Sequence, residues 1–364
     1  MMLTRSFPRF FCGFRVASLS LLLAGAFVGV ANSAEQDNMR CIGCHTTKGL
    51  TTPLPSSENL QLTIDVKSLQ SSVHGDQPCT ACHSGIRKFP HPRNTANNYR
   101  EFQLESSKQC QTCHKEQAKQ ALDSNHARAL AAGNRNAAVC TDCHGSHAVG
   151  KPKSPRHMLS TSCGKCHEAI YAQYVNSTHG RSLLEIDNPD VPACSDCHEA
   201  HRQVDPTTQA FRLRSPKLCA KCHADAKRMS KYNITAGVFD TYVADFHGLT
   251  VTLFDIKHPG QRINTAVCID CHGIHDIQKV TDANSTVIKK NLLTTCRRCH
   301  PDATASFPDS WIGHFPPTRN SFPLVYWVNL FYRFLIPITI GGMVLVVLID
   351  AGGRIIRWFR KGRA

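Results

Sequence analysis

The 364-residue sequence predicts a mostly α-helical chain with extensive irregular coil, packed around covalently held groups and ending in a transmembrane helix. Three observations predict this class. The motif CxxCH occurs nine times between Cys41 and His300. The stretches between motifs are rich in Ala, Gln, Lys and Leu and lack the period-two alternation of a sheet. The end of the chain carries a long apolar run followed by basic residues, as a membrane span requires.

Residues 1–34 read as a secretory signal peptide: Arg5, Arg9 and Arg15 precede an apolar stretch from Val16 to Ala31, and "ANSAEQ" offers small residues for cleavage. Cys12 lies inside this segment and leaves 18 of the 19 cysteines, every one of them in a CxxCH motif. The pairs are Cys41 with Cys44, Cys79 with Cys82, Cys110 with Cys113, Cys140 with Cys143, Cys163 with Cys166, Cys194 with Cys197, Cys219 with Cys222, Cys268 with Cys271 and Cys296 with Cys299. Thiols at i and i+3 share one face of a helical turn and can form thioethers to the two vinyl groups of one porphyrin. The histidine at i+4 then becomes the proximal iron ligand. That role falls to His45, His83, His114, His144, His167, His198, His223, His272 and His300. Zinc ribbons use CxxC pairs without needing a histidine after each, and disulfide frameworks predict no histidine register. Nine covalent haem c groups are therefore expected.

With these motifs the chain resembles the multihaem c-type cytochromes with doubled CxxCH repeats, over nearly all of residues 39–314. The doubled period is visible directly. Doublet 1 has Cys41–His45, His74, Cys79–His83 and His91; doublet 2 has Cys110–His114, His126, Cys140–His144 and His147. Doublet 3 has Cys163–His167, His179, Cys194–His198 and His201; doublet 4 has Cys219–His223, His247, Cys268–His272 and His275. A half-repeat, Cys296–His300 with His314, follows. Eleven histidines lie outside the proximal set, and nine fall in register as distal ligands: His74, His91, His126, His147, His179, His201, His247, His275 and His314. His157 and His258 are left over. A histidine three residues past a proximal one cannot easily round its own ring, so His147, His201 and His275 should reach a neighbouring haem. Glycine after His74, His179 and His247 reads as room for the backbone to approach a ring plane. Methionine, the rival ligand, is in register nowhere, so bis-histidine ligation and low potentials are expected.

Roughly 289 residues for nine haems leave little room for a protein-only core, so porphyrins should supply the buried apolar surface. Helices are expected over "SKQCQTCHKEQAKQALDSNHARALAAG", "CGKCHEAIYAQYVNSTHG" and "CAKCHADAKRMSKYNITAGVFDTYVADFHG", with Gly237 able to interrupt the last. "VGKPKSPRH", "EIDNPDVPA" and "VDPTTQAFRLRSP" read as linkers. The formal charge of +15 falls to about +7 without the signal and membrane segments. Haem propionates would take it to about −11. The basic residues thus compensate propionates, and nucleic-acid binding is not inferred.

The expected organisation is a signal peptide (1–34), a periplasmic nonahaem domain (35–323), a transmembrane helix (324–353) and a basic cytoplasmic tail (354–364). Tyr326, Trp327 and Tyr332 suit the outer interface, and Arg354, Arg357, Arg360, Lys361 and Arg363 the cytoplasmic side of a bacterial inner membrane. "NLLTTCRRCHPDATASF" through "LIPITIGGM" is similar to membrane-anchored cytochromes that accompany quinol-oxidising b-type subunits in anaerobic respiration. The resemblance implies such a subunit, or another quinol-oxidising one, as partner, together with a periplasmic redox partner. No histidine follows His314, so the helix cannot itself hold a haem by histidine. The leading expectation is a non-catalytic electron carrier between the quinone pool and a periplasmic or outer-surface acceptor. The alternative is a multihaem oxidoreductase acting on a nitrogen or sulfur oxyanion at one haem with an open distal face.

Overall fold

The computed structural model describes residues 38–152, 155–257, 261, 263–311 and 313–361. The expected signal peptide, with Cys12, and the leftover His258 lie outside them. The chain divides into two compact units, one reaching to Asp205 without residues 176–178, the other comprising those three residues and everything from Pro206 onward.

In the first unit the described chain opens with a helix over 38–45 that carries the first motif. Where no sheet was expected, it has a two-stranded antiparallel hairpin, Thr51–Pro53 paired with Asn59–Gln61, in which Leu60 is buried. The stretches expected as single helices are instead pairs. Lys115–Leu122 stops where Ser124 caps a new helix, Asn125–Ala131, by accepting from the Ala127 N–H. That helix ends at Gly133 (φ 93°), as expected. Glu168–Val175 and Thr178–Ile186 form the corresponding pair of helices in the third doublet. Tyr174, Leu183 and Ala193 pack with Leu159, Tyr171 and Val191 into a small apolar cluster.

In the second unit Gln209–His223 is one helix with Pro216 inside it, so "QAFRLRSP" is helical where a linker was expected. Tertiary anchoring overrides the local signal there. Leu213 packs with Val251 and Val267 in the unit's apolar cluster, and Arg212 is tied to Asp270. Gly237 does interrupt the following stretch, as N-cap of Val238–Ala244, and Phe246–Lys257 comes next. Lys289–Arg297 carries the start of the last motif.

The chain ends in one helix, Pro323–Lys361, continuous through Pro337. Its 39 residues are about 58 Å long at 1.5 Å each. The stretch Pro323–Trp358 has mean hydropathy 2.3 in its most apolar window, no residue of which is buried. Length and apolarity suffice for a single membrane span. Arg319 stacks over Trp327 at 4.9 Å and Tyr326 at 5.7 Å, a cation–π cluster at the helix start. The apolar clusters described here have three buried side chains each. No protein core of that size holds so long a chain by itself.

Candidate haem sites

Each motif is built on one helical turn, which places both sulfurs and the following imidazole on one side. The His83, His114, His167 and His300 N–H groups donate to the carbonyls of Cys79, Cys110, Cys163 and Cys296 at 2.9–3.0 Å. In doublets 2 to 4 the second motif starts directly after an extended residue: Val139, Ala193 and Val267 have ψ between 170° and 176°. The turn ends just as abruptly. Gly145 (φ 72°), Gly273 (φ 82°) and, in the same place, Glu199 (φ 63°) take the left-handed conformation and turn the chain away from the proximal histidine. His147, His201 and His275 lie beyond that reversal.

The spacing CxxCH treats the two thiols of a motif alike, and the structure does not. None of the eighteen described cysteines is in a disulfide, and the first cysteine of every motif is half-buried. The second is exposed in seven motifs: Cys44, Cys82, Cys113, Cys143, Cys166, Cys197 and Cys299. Cys222 and Cys271, both in doublet 4, are half-buried instead. There the Arg228 guanidinium donates to the Cys222 sulfur at 2.7 Å, and burial pushes the Cys271 thiol up to about 11. In doublet 2 the Thr112 hydroxyl lies 3.8 Å from the Cys113 sulfur. The first sulfur of a motif therefore sits against protein, and the second is in most motifs open to a group arriving from outside.

The structure brings candidate ligands together in facing pairs: His45 with His91, His74 with His114, His83 with His147, His126 with His167, His144 with His201, His247 with His300 and His272 with His314. Centroid separations lie between 5.9 and 6.3 Å, whereas the angles between ring planes run from 5° to 65°. Aromatic pairs favour offset-stacked or edge-to-face arrangements over a broad range of about 4.5–7 Å, so contact between rings would fix the angle and scatter the distance. A metal between two imidazoles fixes distance and leaves rotation about the axis free. With a metal–nitrogen bond of about 2 Å and roughly 1.15 Å from nitrogen to ring centre, two such rings stand about 6.3 Å apart. The pairs fit an iron between them.

Burial pushes the His83, His126, His144, His147 and His314 imidazoles toward their neutral, metal-binding form, and takes His272 down to about 4. His157, by contrast, pairs with Asp187 through its Nδ1 at 3.5 Å, and its backbone N–H donates to the same carboxylate. Its neighbour is a carboxylate and not a second imidazole.

The pairs follow one rule. The histidine inside a doublet faces the first motif of the next doublet, and the trailing histidine faces the second motif of the doublet before. His91 is the exception and faces its own doublet's first motif. A backbone bond repeats with the same register. The residue before the internal histidine donates to the carbonyl two past the next doublet's trailing one: Val73 to Val149 (2.9 Å), Asn125 to Gln203 (2.8 Å) and Thr178 to Ile277 (2.8 Å).

Inside each doublet the leading cysteines meet. Cys110 and Cys140, Cys163 and Cys194, and Cys219 and Cys268 share sulfur hydrogen bonds, and Cys79 interacts likewise with Cys41. The hydrogen bonds that Cys140 and Cys194 accept pull each thiol down to about 6. Thioether formation would keep these sulfurs adjacent, so the two motifs of a doublet hold neighbouring rings.

Sequence reasoning missed the residues that set this geometry. In doublets 2 to 4 the second motif reads CxDCH, and its aspartate receives an arginine from the segment leading to the first motif. Arg100 pairs with Asp142 (2.9 Å), Arg156 with Asp196 (2.6 Å) and Arg212 with Asp270 (2.6 Å). Each aspartate also accepts the N–H of the residue before its motif, at 2.7–2.8 Å. Arg156 further donates to the Pro189 and Val191 carbonyls and Arg212 to that of Thr265. Doublet 1 has Ala81 where the aspartate would stand, and Asn38 instead accepts the Cys79 N–H (2.8 Å) and donates to the Gln77 carbonyl. The signal was present as Asp at the third motif position and Arg ahead of the first motif. Near the last motif, Trp311 stands edge-on to His314 at 5.5 Å and donates its indole N–H to Asp245.

The glycines after the internal histidines have a packing role. A Cβ on Gly75, Gly180 or Gly248 would overlap the Gln70, Tyr174 or Tyr242 carbonyl. At Gly180 and Gly248 the small residue thus lets two short helices meet at the turn, and at Gly75 it lets the chain fold back against the end of Val66–Gln70.

Comparison with known proteins agrees with the sites. A family model described as a doubled CXXCH motif matches residues 190–228. The chain is 24% identical over 136 residues to the cytochrome c-type protein NrfB of Escherichia coli, covering 34% of this chain and 69% of that one. It is 27% identical over 158 residues to the multiheme cytochrome MtrA of Shewanella baltica, covering 43% of this chain and only 36% of the relative. No solved structure matches. Repeated CxxCH turns, imidazoles spaced for iron and these two relatives converge: the chain is a multihaem c-type cytochrome that binds haem c through its CxxCH motifs.

Proposed function

We propose that the chain carries nine haem c groups, each iron held between two histidines, and relays electrons between a membrane partner linked to the quinone pool and an acceptor in the periplasm or at the outer surface. When bound, each haem supplies one-electron Fe(III)/Fe(II) chemistry. The chain's own residues attach, space and enclose. Each motif attaches its ring twice. One thioether would be made by the half-buried leading sulfur of the motif, and the other by Cys44, Cys82, Cys113, Cys143, Cys166, Cys197, Cys222, Cys271 or Cys299. The clamped doublets would hold neighbouring haems through their adjacent leading cysteines, and the facing imidazoles would take both axial positions of an iron. The single observation that carries this reading is the near-constant ring separation of the facing pairs. His179, His198, His223 and His275 complete the ligand set by their register in the repeat, which the Thr178–Ile277 backbone bond supports.

The apolar helix supports a single span, with the haem domain on the side where c-type haem is attached and the basic tail in the cytoplasm. A b-type cytochrome or other quinol-oxidising subunit would supply the electrons the helix cannot conduct. The test is direct. Intact-mass and pyridine-haemochrome analysis should give nine haems per chain, and the oxidised protein should show low-spin signals with no carbon monoxide uptake after reduction. A high-spin ferric haem, or carbon monoxide bound at one site per chain, would replace this reading with that of an oxidoreductase.

A further inference from the structure

We propose that the site framed by His45 and His91 is tuned to keep its iron ferric more strongly than the other facing pairs, so that among them it is the last to be reduced. This rests on the reading that these two imidazoles hold one iron. The His45 Nδ1 lies 2.7 Å from the Leu62 carbonyl and the His91 Nδ1 3.0 Å from the Pro92 carbonyl. A carbonyl can only accept, so both Nδ1 atoms carry the proton, and the Nε2 lone pairs are left for the metal. Among the described residues, no ring nitrogen of the six other facing pairs is bonded to a backbone carbonyl.

The chemistry has one sign. An Nδ1–H drawn toward a carbonyl makes its ring more anionic and a stronger donor, which favours the more positive ferric iron over the ferrous one. Here both axial ligands are treated alike.

The local fold is built to hold these acceptors. The hairpin of doublet 1 returns the chain so that Leu62 donates to the Leu50 carbonyl (2.9 Å) and Ile64 to the His45 carbonyl (2.7 Å). Leu62 is thereby pinned beside the proximal ring. On the other side the ring of Pro92 fixes its own φ and so limits the backbone freedom next to the carbonyl that faces His91. The hairpin and the reversed pairing of His91 thus meet at one site. The result is a relay whose first site fills only when the other described pairs are already reduced.

Potentiometric EPR on the full-length protein tests this with three variants. His91→Ala should convert one low-spin haem to high-spin and so identify the signal of this site. Replacing His91 by Nδ-methylhistidine removes the donated hydrogen and keeps Nε2. At the potential that half-reduces this signal in the unaltered protein, its oxidised-to-reduced ratio should then fall about tenfold, a rise of about 59 mV. Pro92→Gly, which keeps the histidine and loosens the acceptor, should move the same signal the same way by less. Should His91→Ala give a high-spin haem while neither other variant at this site shifts the midpoint, the tuning is wrong and the ligation stands. Should His91→Ala leave every haem low-spin, the ligation itself is wrong.

Discussion

At the residue scale, what distinguishes this chain is how few side chains do each task. His147 lies three residues after His144 yet faces His83, 6.1 Å away across a doublet boundary. His147→Ala and His201→Ala should therefore each free one haem face, giving one carbon monoxide bound per chain for each variant and two for the double variant. Carbon monoxide titration of the reduced proteins reads the count, and an unchanged zero would remove these residues from the ligand set. Gly180 and Gly248 are tested separately. Their alanine variants force a Cβ into the carbonyl of the preceding helix, which should cost about 1–3 kcal/mol of stability. Thermal unfolding followed by haem absorbance should show the lower midpoint with spin state unchanged.

At the scale of elements, the arginine–aspartate clamp makes a doublet one object. Arg156 precedes the helix His157–Gly164, crosses to Asp196, and donates on the way to carbonyls of the segment before Cys194. Both side chains are mostly buried, 18% and 35% exposed, so removing one strands its partner. Arg156→Met and Asp196→Asn should each destabilise by about 1.5–3 kcal/mol. A double-mutant cycle in chemical denaturation should recover a coupling of about 1 kcal/mol or more. Additive effects would mean the pair is incidental. The same construction recurs with Arg100–Asp142 and Arg212–Asp270, which is why three doublets share one geometry and doublet 1 departs from it.

At the scale of the whole molecule, the facing pairs of the first unit would exchange ligands between successive doublets in both directions. His147 of doublet 2 faces the second motif of doublet 1, and His74 of doublet 1 faces the first motif of doublet 2. A doublet cut from its neighbours would therefore lose axial ligands, and folding of the haem domain should depend on iron as well as on packing. The span is separable from this exchange. No candidate ligand lies after His314, and the apolar helix begins at Pro323. A truncation ending before Pro323 should leave the membrane fraction and keep the haem-to-polypeptide ratio of the full chain. A truncated protein that still pellets with membranes would point to a second attachment.

Much of this was legible in the residues alone, because thioether attachment needs a spacing that is local: two sulfurs and an imidazole on one turn are written out as CxxCH. The apolar run of the final helix is equally local. The helix break at Gly237 is also readable; the break at Ser124 went unread, and the helix through Pro216 is held by a distant aspartate and a small apolar cluster. The hairpin over Thr51–Gln61 was hidden by strands of three residues each, too short for any alternation to register. Nor could spacing tell an exposed Cys44 or Cys299 from a half-buried Cys222, since their neighbours come from elsewhere in the fold. Register in the repeat could nominate nine distal histidines. Which ring each one faces, and that His91 alone among the described pairs turns back on its own doublet, depends on contacts between residues tens of positions apart. Only the folded chain decides those, because the sixth position of an iron is filled through space and leaves no spacing in the sequence.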